Sequence, residues 1–266
     1  MLPPTTYLEF HLAFTLPPIV LLGVAAWRRE DALTGRVPGI GLFVIVTLAV
    51  AYTTPWDNYL IDRGVWWYGT DVTWRYVGSA PVGEYLFFIL QPLLTILLLA
   101  HLSIPTDTDL RLGKRERAVG VLGGLSVSIL GAVLVIAAPS TLYLGAILLW
   151  AGPVLAIQWG FGWTHLWRAR RTVAVAVAVP TVYLWIADWT AISLGLWVIS
   201  ERYTIGVAPF GLPIEEATFF LVTNLFVVQG FVLYVWLLDQ WPSVADSPLA
   251  VRYRRYVAVW GRNIRE

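Results

Sequence analysis

Seven long apolar segments divide this chain, and no other feature of the sequence restricts its fold so strongly. A helix needs about 20 consecutive apolar residues to cross the hydrocarbon core of a bilayer. Charged residues make up only 13% of the chain and the mean hydropathy is +0.69, whereas soluble domains carry about 25% charged residues. We therefore predict an all-α integral membrane protein with seven transmembrane helices at 6–27, 38–56, 81–102, 117–138, 141–163, 172–196 and 213–238.

The basic residues are distributed unequally between the two sides of these spans. Of the 18 lysines and arginines, 15 lie in the loops after the first, third and fifth spans or in the C-terminal tail. Only Arg63, Arg75 and Arg202 lie on the other side. Because cytoplasmic loops are rich in Lys and Arg, we expect a multi-pass cell-membrane protein with its N-terminus outside and its C-terminus in the cytoplasm. The segment MLPPTTYLEF lacks the positive region of a signal peptide, so we expect it in the mature protein.

The first three spans resemble the last three. Tyr7 and Tyr143 each precede a proline by ten residues, and PVGE at 81–84 resembles PIEE at 213–216. We therefore predict two parallel three-helix repeats joined by a linker helix, a 3+1+3 arrangement whose functional site lies between the repeats. The predicted units are the first repeat at 1–105, the linker helix at 106–139, the second repeat at 140–240 and a cytoplasmic tail at 241–266.

The acidic residues follow the same repeat. Asp57 precedes Glu84 by 27 residues, and Asp188 precedes Glu215 by 27 and Glu216 by 28. A carboxylate inside the membrane is costly and usually functional. Because clustered acids in a dry site cannot all ionise, some should stay protonated and able to act as general acids. Six acids are expected toward the outer half of the membrane: Glu9, Asp57, Glu84, Asp188, Glu215 and Glu216. The alternative for the two P-x-x-E motifs is simple stabilisation of a helix N-terminus, worth about 0.3–1 kcal/mol.

Aromatic residues surround these acids. Trp66 and Trp67 lie between Asp57 and Glu84, while Trp189 directly follows Asp188. Phe87, Phe88, Phe219 and Phe220 follow the two P-x-x-E motifs at matching positions. Many aromatic residues must belong to the interfacial belts of a membrane protein. Aromatic faces also stabilise cations, so buried acids beside them suit a reaction that protonates an alkene and shelters the carbocation from water.

Several other chemistries lack their motifs here. The sequence holds no G-x-G-x-x-G, P-loop, G-x-S-x-G or H-E-x-x-H motif, so no nucleotide or metal site is indicated. Cysteine is absent, which excludes disulfides and thiolate ligands. Lys114, the only lysine, lies in a predicted loop, so no retinal Schiff base is available inside the spans. The net charge of +1 suggests no nucleic-acid partner.

PWDNYL at 55–60 and PIEE at 213–216, on a duplicated seven-span frame, resemble the membrane lycopene β-cyclases of the heterodimeric and fused type. This family occurs in archaea, some actinobacteria and fungi, and the resemblance covers essentially the whole chain. It implies a redox-neutral cyclisation of the ψ-ends of lycopene to β-ionone rings, giving γ-carotene and then β-carotene. The implied partners are lycopene, γ-carotene, the lipid bilayer and other carotenoid enzymes, and no cofactor is expected.

The resemblance also assigns candidate residues. Glu215 and Glu216 match the acidic pair of the family's PIEE motif, and Asp57 matches the acid of PWDNYL. Glu84 and Asp188 join them as catalytic candidates because they are the repeat partners. The candidates for substrate binding are Trp66, Trp67, Trp189, Phe87, Phe88, Phe219, Phe220 and Asn58. Gly83 stands where Glu215 stands in the second copy, which predicts one complete site built mainly on PIEE.

Two alternatives stay open from the sequence. A 3+1+3 parallel repeat is also the architecture of small-solute transporters, where acids could couple protons. A carotenoid hydratase or an ε-type cyclase would begin with the same protonation and differ only in where the cation is quenched.

Overall fold

Seven helical spans make up most of the chain in a computed structural model that describes residues 3–28, 36–104 and 113–239. In that part of the chain, seven helices are long and apolar enough to cross a membrane. The predicted tail and several basic residues behind the predicted orientation, among them Arg29, Arg111 and Arg252, lie outside it. The first span consists of α1 (Tyr7–Phe10), a π-helix (His11–Thr15) and α2 (Leu16–Trp27). The other six spans are α3 (Arg36–Asp62), α4 (Val82–Leu99), α5 (Lys114–Ala137), α6 (Leu142–Arg168), α7 (Arg170–Ser193) and α8 (Ile214–Asp239).

Several predicted span ends are wrong, and two of them concern the candidate catalytic residues. Helix α3 continues to Asp62 instead of ending at 56, so Asp57 and Asn58 lie within it. Helix α7 ends at Ser193 instead of 196, which places Asp188 little more than one turn from its end, closer than the sequence suggested. Hydropathy was a poor guide at α3, because backbone hydrogen bonds continue a helix past the point where its side chains become polar. At α7 it failed because Leu194 and Leu196 are apolar but lie in the turn beyond the helix.

The first span changes its winding at a pair of prolines. Pro17 and Pro18 lack an N–H, so the carbonyls one turn earlier lose their helical donors. The π-helix at His11–Thr15 precedes them, and the freed Phe14 carbonyl accepts a hydrogen bond from the Tyr183 hydroxyl at 2.7 Å. The irregular backbone is thus satisfied by a neighbouring helix, as it must be in a membrane.

Helix α5 packs against α6 along a seam of glycines. At Gly120, Gly124 and Gly131, an added Cβ atom would overlap the backbone of α6. At Gly145 and Gly152, an added Cβ would overlap α5. Small residues that let two backbones approach closely are the usual device for joining helices in lipid, where the hydrophobic effect does not drive their association.

A small antiparallel sheet joins the loops that follow α3 and α7. Strand β1 (Trp66–Tyr68) pairs with β4 (Trp197–Ile199), with Trp67 opposite Val198. Each strand follows a glycine with positive φ, 69° at Gly64 and 71° at Gly195, a conformation that glycine adopts without strain. A separate hairpin, formed by β2 (Tyr76–Val77) and β3 (Ala80–Pro81), leads into α4. The β1–β4 sheet brings the two halves of the chain together at one end of the bundle.

Matching hydrogen bonds occur in the two halves. The Tyr7 N–H donates to the Val72 carbonyl at 3.0 Å, and the Tyr143 N–H donates to the Tyr203 carbonyl at 3.1 Å. Deeper in the bundle, a buried polar cluster joins three helices. Asn224 on α8 accepts from Gln91 and Thr95 of α4, both at 2.6 Å, and donates to Thr181 of α7 at 3.0 Å.

Candidate active site

An aromatic-walled cavity lies where the β1–β4 sheet meets the ends of the helices. Its volume is about 50 Å³, a few times the roughly 10–15 Å³ that one water needs. No basic side chain is among the residues that line it. The lining comprises four acids, Asp57, Glu84, Asp188 and Glu216, and eleven aromatic or aliphatic residues, Tyr7, Phe10, Trp56, Trp66, Phe87, Tyr143, Leu184, Trp197, Ile199, Phe219 and Phe220.

Helix ends position the four acids. Glu84 and Glu216 lie in the first turns of α4 and α8, each three residues after a proline, Pro81 and Pro213 respectively. Asp57 and Asp188 lie near the opposite, C-terminal ends of α3 and α7. Antiparallel neighbours bring these ends together, so the structure gathers four of the five predicted catalytic acids around one cavity.

Three of the four acids accept hydrogen bonds from aromatic donors. The Tyr143 hydroxyl donates to Glu216 Oε1 at 2.8 Å. The Trp197 indole N–H donates to Asp188 Oδ1 at 2.9 Å, and the Tyr68 hydroxyl donates to Glu84 Oε1 at 2.5 Å. A donor aimed at a carboxylate oxygen stabilises its negative charge.

Asp57 differs from the other three. It is 3% exposed, and its Oδ2 is buried without a hydrogen-bond partner among the described residues. An ionised carboxylate in such a place is expensive, whereas the neutral acid is tolerated far more easily. Asp57 is therefore best suited to hold a proton within this cavity. Asp188 Oδ2 is also unpartnered there, but the other oxygen of Asp188 has the Trp197 donor.

Tyr68 lies on strand β1, outside the spans, and links the sheet to the acids. Burial, together with the nearby Glu84 carboxylate, raises the pKa of the Tyr68 hydroxyl well above the ordinary tyrosine value. Its oxygen accepts a hydrogen bond from the Trp66 indole at 3.2 Å. The Tyr68 hydroxyl therefore keeps its proton and donates a hydrogen bond to Glu84 throughout the physiological pH range.

Glu215 does not line the cavity. Its side chain is fully buried, and Oε1 accepts the backbone N–H of Ile205 at 2.8 Å, while Oε2 has no partner in the part of the chain that is described. Gly83, at the matching place in the first half, lies against the ring of Tyr7, which an added Cβ would overlap. The Gly-for-Glu difference between PVGE and PIEE therefore has a steric cause.

Four of the predicted substrate-binding residues also lie elsewhere. Asn58 Oδ1 accepts the backbone N–H groups of Ser79 and Ala80 at 2.7 and 3.2 Å, so its amide holds the β2–β3 hairpin. Trp67 and Trp189 are 49% and 44% exposed. Phe88 is buried beside Tyr85, in the apolar cluster that also holds Phe87, but it does not line the cavity. The remaining four, Trp66, Phe87, Phe219 and Phe220, line the cavity.

Glu9 does not line the cavity, so the six acids expected toward the outer half of the membrane do not all meet at one site. Glu9 is exposed and accepts the backbone N–H and hydroxyl of Thr5, both at 2.8 Å, in a capping box with Thr6. His11 is buried, with Nε2 2.9 Å from the Gly83 carbonyl and its ring stacked on Tyr7. His11 therefore supports the start of α4 and does not bind an acid directly.

Sequence reasoning missed several lining residues, chiefly Tyr7, Tyr143, Trp56 and Trp197. Two signals could have found them. Tyr7 and Tyr143 are repeat markers, and Trp66 and Trp197 each follow a site aspartate by nine residues. Trp56 stacks on Phe219 with ring centroids 5.7 Å apart, a contact between distant segments that the sequence does not encode locally.

Metal ligation is not suggested by the arrangement of these side chains. Within the described ranges, no group of three or more His, Asp or Glu residues is placed to hold a metal ion.

The three basic residues at this end of the helix bundle lie over aromatic rings. Arg63 lies over Tyr59, Arg75 over Trp74 and Arg202 over Tyr203, at 5.4–5.9 Å. The cavity is thus acidic and aromatic in character.

The chain is similar to known carotenoid enzymes. A lycopene β-cyclase from Halobacterium salinarum is 46% identical over 237 residues, which cover 89% of this chain and 99% of the relative. A bifunctional lycopene cyclase/phytoene synthase from Gibberella fujikuroi is 35% identical over 85% of this chain and 39% of its own length. The corresponding protein of Pyrenophora tritici-repentis is 34% identical over 93% and 42%.

No family model matches the chain, and no solved structure matches it. The similarity to the Halobacterium protein nevertheless extends over nearly the whole of both sequences, and the seven apolar helices agree with a multi-pass membrane protein. The chain belongs to the lycopene β-cyclase family.

Proposed function

We propose that this chain cyclises the ψ-ends of lycopene to β-ionone rings, by acid catalysis in the aromatic-walled cavity. The observation that carries the proposal is the meeting of four carboxyl groups and nine aromatic side chains around one enclosed space. Relatives with 46% identity bear the name lycopene β-cyclase. The product of the first cyclisation is γ-carotene, which is the substrate of the second.

Asp57 is the proton donor in this proposal. Asp57 lines the cavity, and its Oδ2 has no hydrogen-bond partner among the described residues that would compete with the substrate for a proton. Transfer of that proton to C2 of the ψ-end leaves a cation at C1. The electron pair of the C5–C6 double bond then forms the C1–C6 bond and moves the cation to C5.

One of the hydrogen-bonded acids, Glu84, Asp188 or Glu216, removes the proton from C6. That step leaves the electron pair in a new C5–C6 double bond and completes the ring. The aromatic donors that stabilise these carboxylates suit them to the role of base. One proton enters and one leaves with no change in oxidation state, so the reaction is an isomerisation, and no cofactor takes part in the steps that we propose.

The aromatic wall protects the cation between these two proton transfers. Phe87 and Phe220 meet edge to face, with centroids 5.8 Å apart, and Trp56 stacks on Phe219. A desolvated cation over such rings gains about 2 kcal/mol or more. Water would capture the cation as an alcohol, as in a hydratase, and the small volume of the cavity limits that outcome.

Glu215 and Asn58 position the site in our proposal, since neither lines the cavity. Glu215 fixes the loop before α8 through Ile205, and Asn58 fixes the hairpin before α4 through Ser79. Phe88 supports Phe87 from the apolar cluster behind it. Trp67 and Trp189 face outward, where the aromatic belt of a membrane protein is expected.

We also propose the 3+1+3 arrangement, with 1–105 and 140–240 as repeats and 106–139 as the linker. Matching backbone hydrogen bonds from Tyr7 to Val72 and from Tyr143 to Tyr203 support it. The symmetric register of β1 on β4 supports it as well. The distribution of basic residues favours a cytoplasmic C-terminus and a cavity toward the outer face. Other enzymes of carotenoid synthesis are the expected neighbours in the membrane.

The test is pigment analysis in a bacterial host that accumulates lycopene. We expect the wild-type chain to convert lycopene to β-carotene and Asp57→Asn, which removes the proposed proton donor, to leave lycopene unchanged. Glu215→Gln is the matched control, because an amide oxygen can still accept the Ile205 N–H, and we expect it to retain conversion. Unchanged lycopene with the wild-type chain present in the membrane would refute the proposal, and an alcohol or an ε-ring would identify the related chemistries.

A further inference from the structure

A second concavity opens on the apolar outer surface between α2, α4 and α7. Its volume is about 280 Å³, and all its lining residues are apolar or aromatic, among them Leu22, Leu94, Leu98 and Pro180. The one polar side-chain atom at its edge, the Tyr183 hydroxyl, already donates to the Phe14 carbonyl at 2.7 Å. This groove therefore offers a surface for a hydrocarbon only.

The α4 face that bears Glu84 leads from the cavity to the groove. Glu84 and Phe87 line the cavity, whereas Leu94 and Leu98 line the groove. Their separations of three, seven and four residues keep all four on one side of the helix. At a rise of about 1.5 Å per residue, Leu94 lies roughly 15 Å along the helix from Glu84.

Helix α7 repeats this relation. Asp188 and Leu184 line the cavity, and Pro180 lines the groove. The successive separations of four residues again place them on one face, over roughly 12 Å. Phe87 and Leu184 also belong to the same buried apolar cluster as Leu94. Cavity and groove are therefore connected by a continuous apolar region between α4 and α7.

Aromatic side chains fill the matching region between the described helices of the other half. There the Tyr52 hydroxyl donates to the Trp150 carbonyl at 2.8 Å, as Tyr183 does to Phe14. The large Trp150 ring, however, stacks on Tyr52 and contacts Phe226 at 5.2 Å. Aromatic side chains thus occupy this region in one half, while the groove remains open in the other.

We propose that the groove holds the polyene chain of the substrate while one ψ-end reacts in the cavity. This inference rests on the proposed function, because only a substrate much longer than the cavity needs a second site. A carotenoid that enters from the bilayer would pass between α4 and α7, with its unreacted part against Leu98 and Leu22. The two ends then react in turn, each after the molecule has left and re-entered the groove.

The test measures how purified enzyme variants, in which a larger side chain fills the groove, convert two different substrates. Leu98→Trp and Leu22→Trp each place an indole in the groove, and Ile157→Trp, on an exposed position of α6, is the matched control. The substrates are lycopene and an apolycopenal that keeps one ψ-end but ends about half-way along the polyene. We expect both groove variants to lower the conversion of lycopene about tenfold, equal to roughly 1.4 kcal/mol of binding, and to convert the apolycopenal like wild type.

Conversion of the short substrate shows that a variant has folded and that its cavity is intact. Equal losses for both substrates would overturn the inference, because the indole would then act on the cavity itself. Unchanged conversion of both would also overturn it and leave the groove as a place for a lipid acyl chain. A wild-type enzyme that converts neither substrate would refute the proposed function and this inference with it.

Discussion

The Tyr143 hydroxyl donates a hydrogen bond to Glu216 Oε1 at 2.8 Å and joins the start of α6 to the start of α8. A hydrogen bond to a charged group contributes about 1.5–3 kcal/mol. If Glu216 acts as a carboxylate, Tyr143→Phe should therefore lower the conversion of lycopene roughly tenfold to a hundredfold.

The control for this substitution is Tyr76→Phe, whose exposed hydroxyl accepts a hydrogen bond from Thr73 away from the cavity and the groove. We expect Tyr76→Phe to keep near-normal activity at equal protein in the membrane. Initial rates with lycopene measure both variants. A Tyr143→Phe enzyme as active as wild type would show that Glu216 does not depend on this donor.

Asp57→Asn should abolish conversion without harming the fold. An amide cannot protonate an alkene, and Asp57 Oδ2 has no hydrogen-bond partner to lose within the described residues. We therefore expect normal amounts of protein in the membrane and unchanged lycopene by chromatography. Asn58→Asp is an informative contrast, because it replaces an amide that donates to the Thr54 carbonyl and to Tyr85 and should reduce stability first. Conversion by Asp57→Asn at a wild-type rate would assign the proton to another acid.

Tyr68 should make the stability of the protein sensitive to alkaline pH. Because burial and Glu84 raise the pKa of this hydroxyl above 10.0, it is neutral in both the folded and unfolded states at lower pH and contributes no pH dependence there. Above about pH 10 the unfolded chain ionises first, so the free energy of unfolding falls as pH rises.

The measurement is heat inactivation of the detergent-purified protein from about pH 8 to pH 11, a range that brackets the ordinary tyrosine pKa. We expect wild type to lose more stability than Tyr68→Phe over the upper part of this range. Identical pH profiles would contradict the buried, Glu84-bonded state of Tyr68. Tyr76→Phe is the comparison, since the side chain of Tyr76 is 51% exposed.

The glycine seam predicts a sharp difference between two alanine substitutions. At Gly124, a Cβ atom would overlap the backbone of Ala156, so Gly124→Ala should force α5 and α6 apart. At Gly23 nothing lies within 4 Å, so Gly23→Ala should be neutral or gain up to about 1 kcal/mol of helix propensity. Thermal stability in detergent is the readout, and equal stability of the two variants would contradict the close approach of the two helices.

Much of the site could be predicted because its parts are local patterns. A long apolar segment indicates a span, and a proline followed by an acid indicates where the span begins. The repeat then relates Asp57 to Asp188 and Glu84 to Glu216 without any knowledge of contacts. These four acids are the ones that the structure brings to the cavity.

The direction in which each side chain points could not be predicted in the same way. Adjacent residues on a helix point about 100° apart. Here Glu216 lines the cavity while Glu215 accepts the Ile205 N–H in the loop before α8, and the sequence gives no choice between the two. The sheet between β1 and β4 forms between loops far apart in sequence. The spacing of nine residues after each aspartate marks Trp66 and Trp197, but the contact between their strands depends on the assembled bundle.

The most direct test of the acid-catalysed mechanism is a reaction of the purified protein with lycopene alone. The protein is reconstituted in lipid vesicles that contain lycopene, with no nucleotide, flavin or metal added, and the pigments are separated with time. Our account predicts γ-carotene as a transient and β-carotene as the product, with no reaction by Asp57→Asn. Product formation that requires an added reductant or flavin, or an Asp57→Asn enzyme that cyclises lycopene normally, would contradict it.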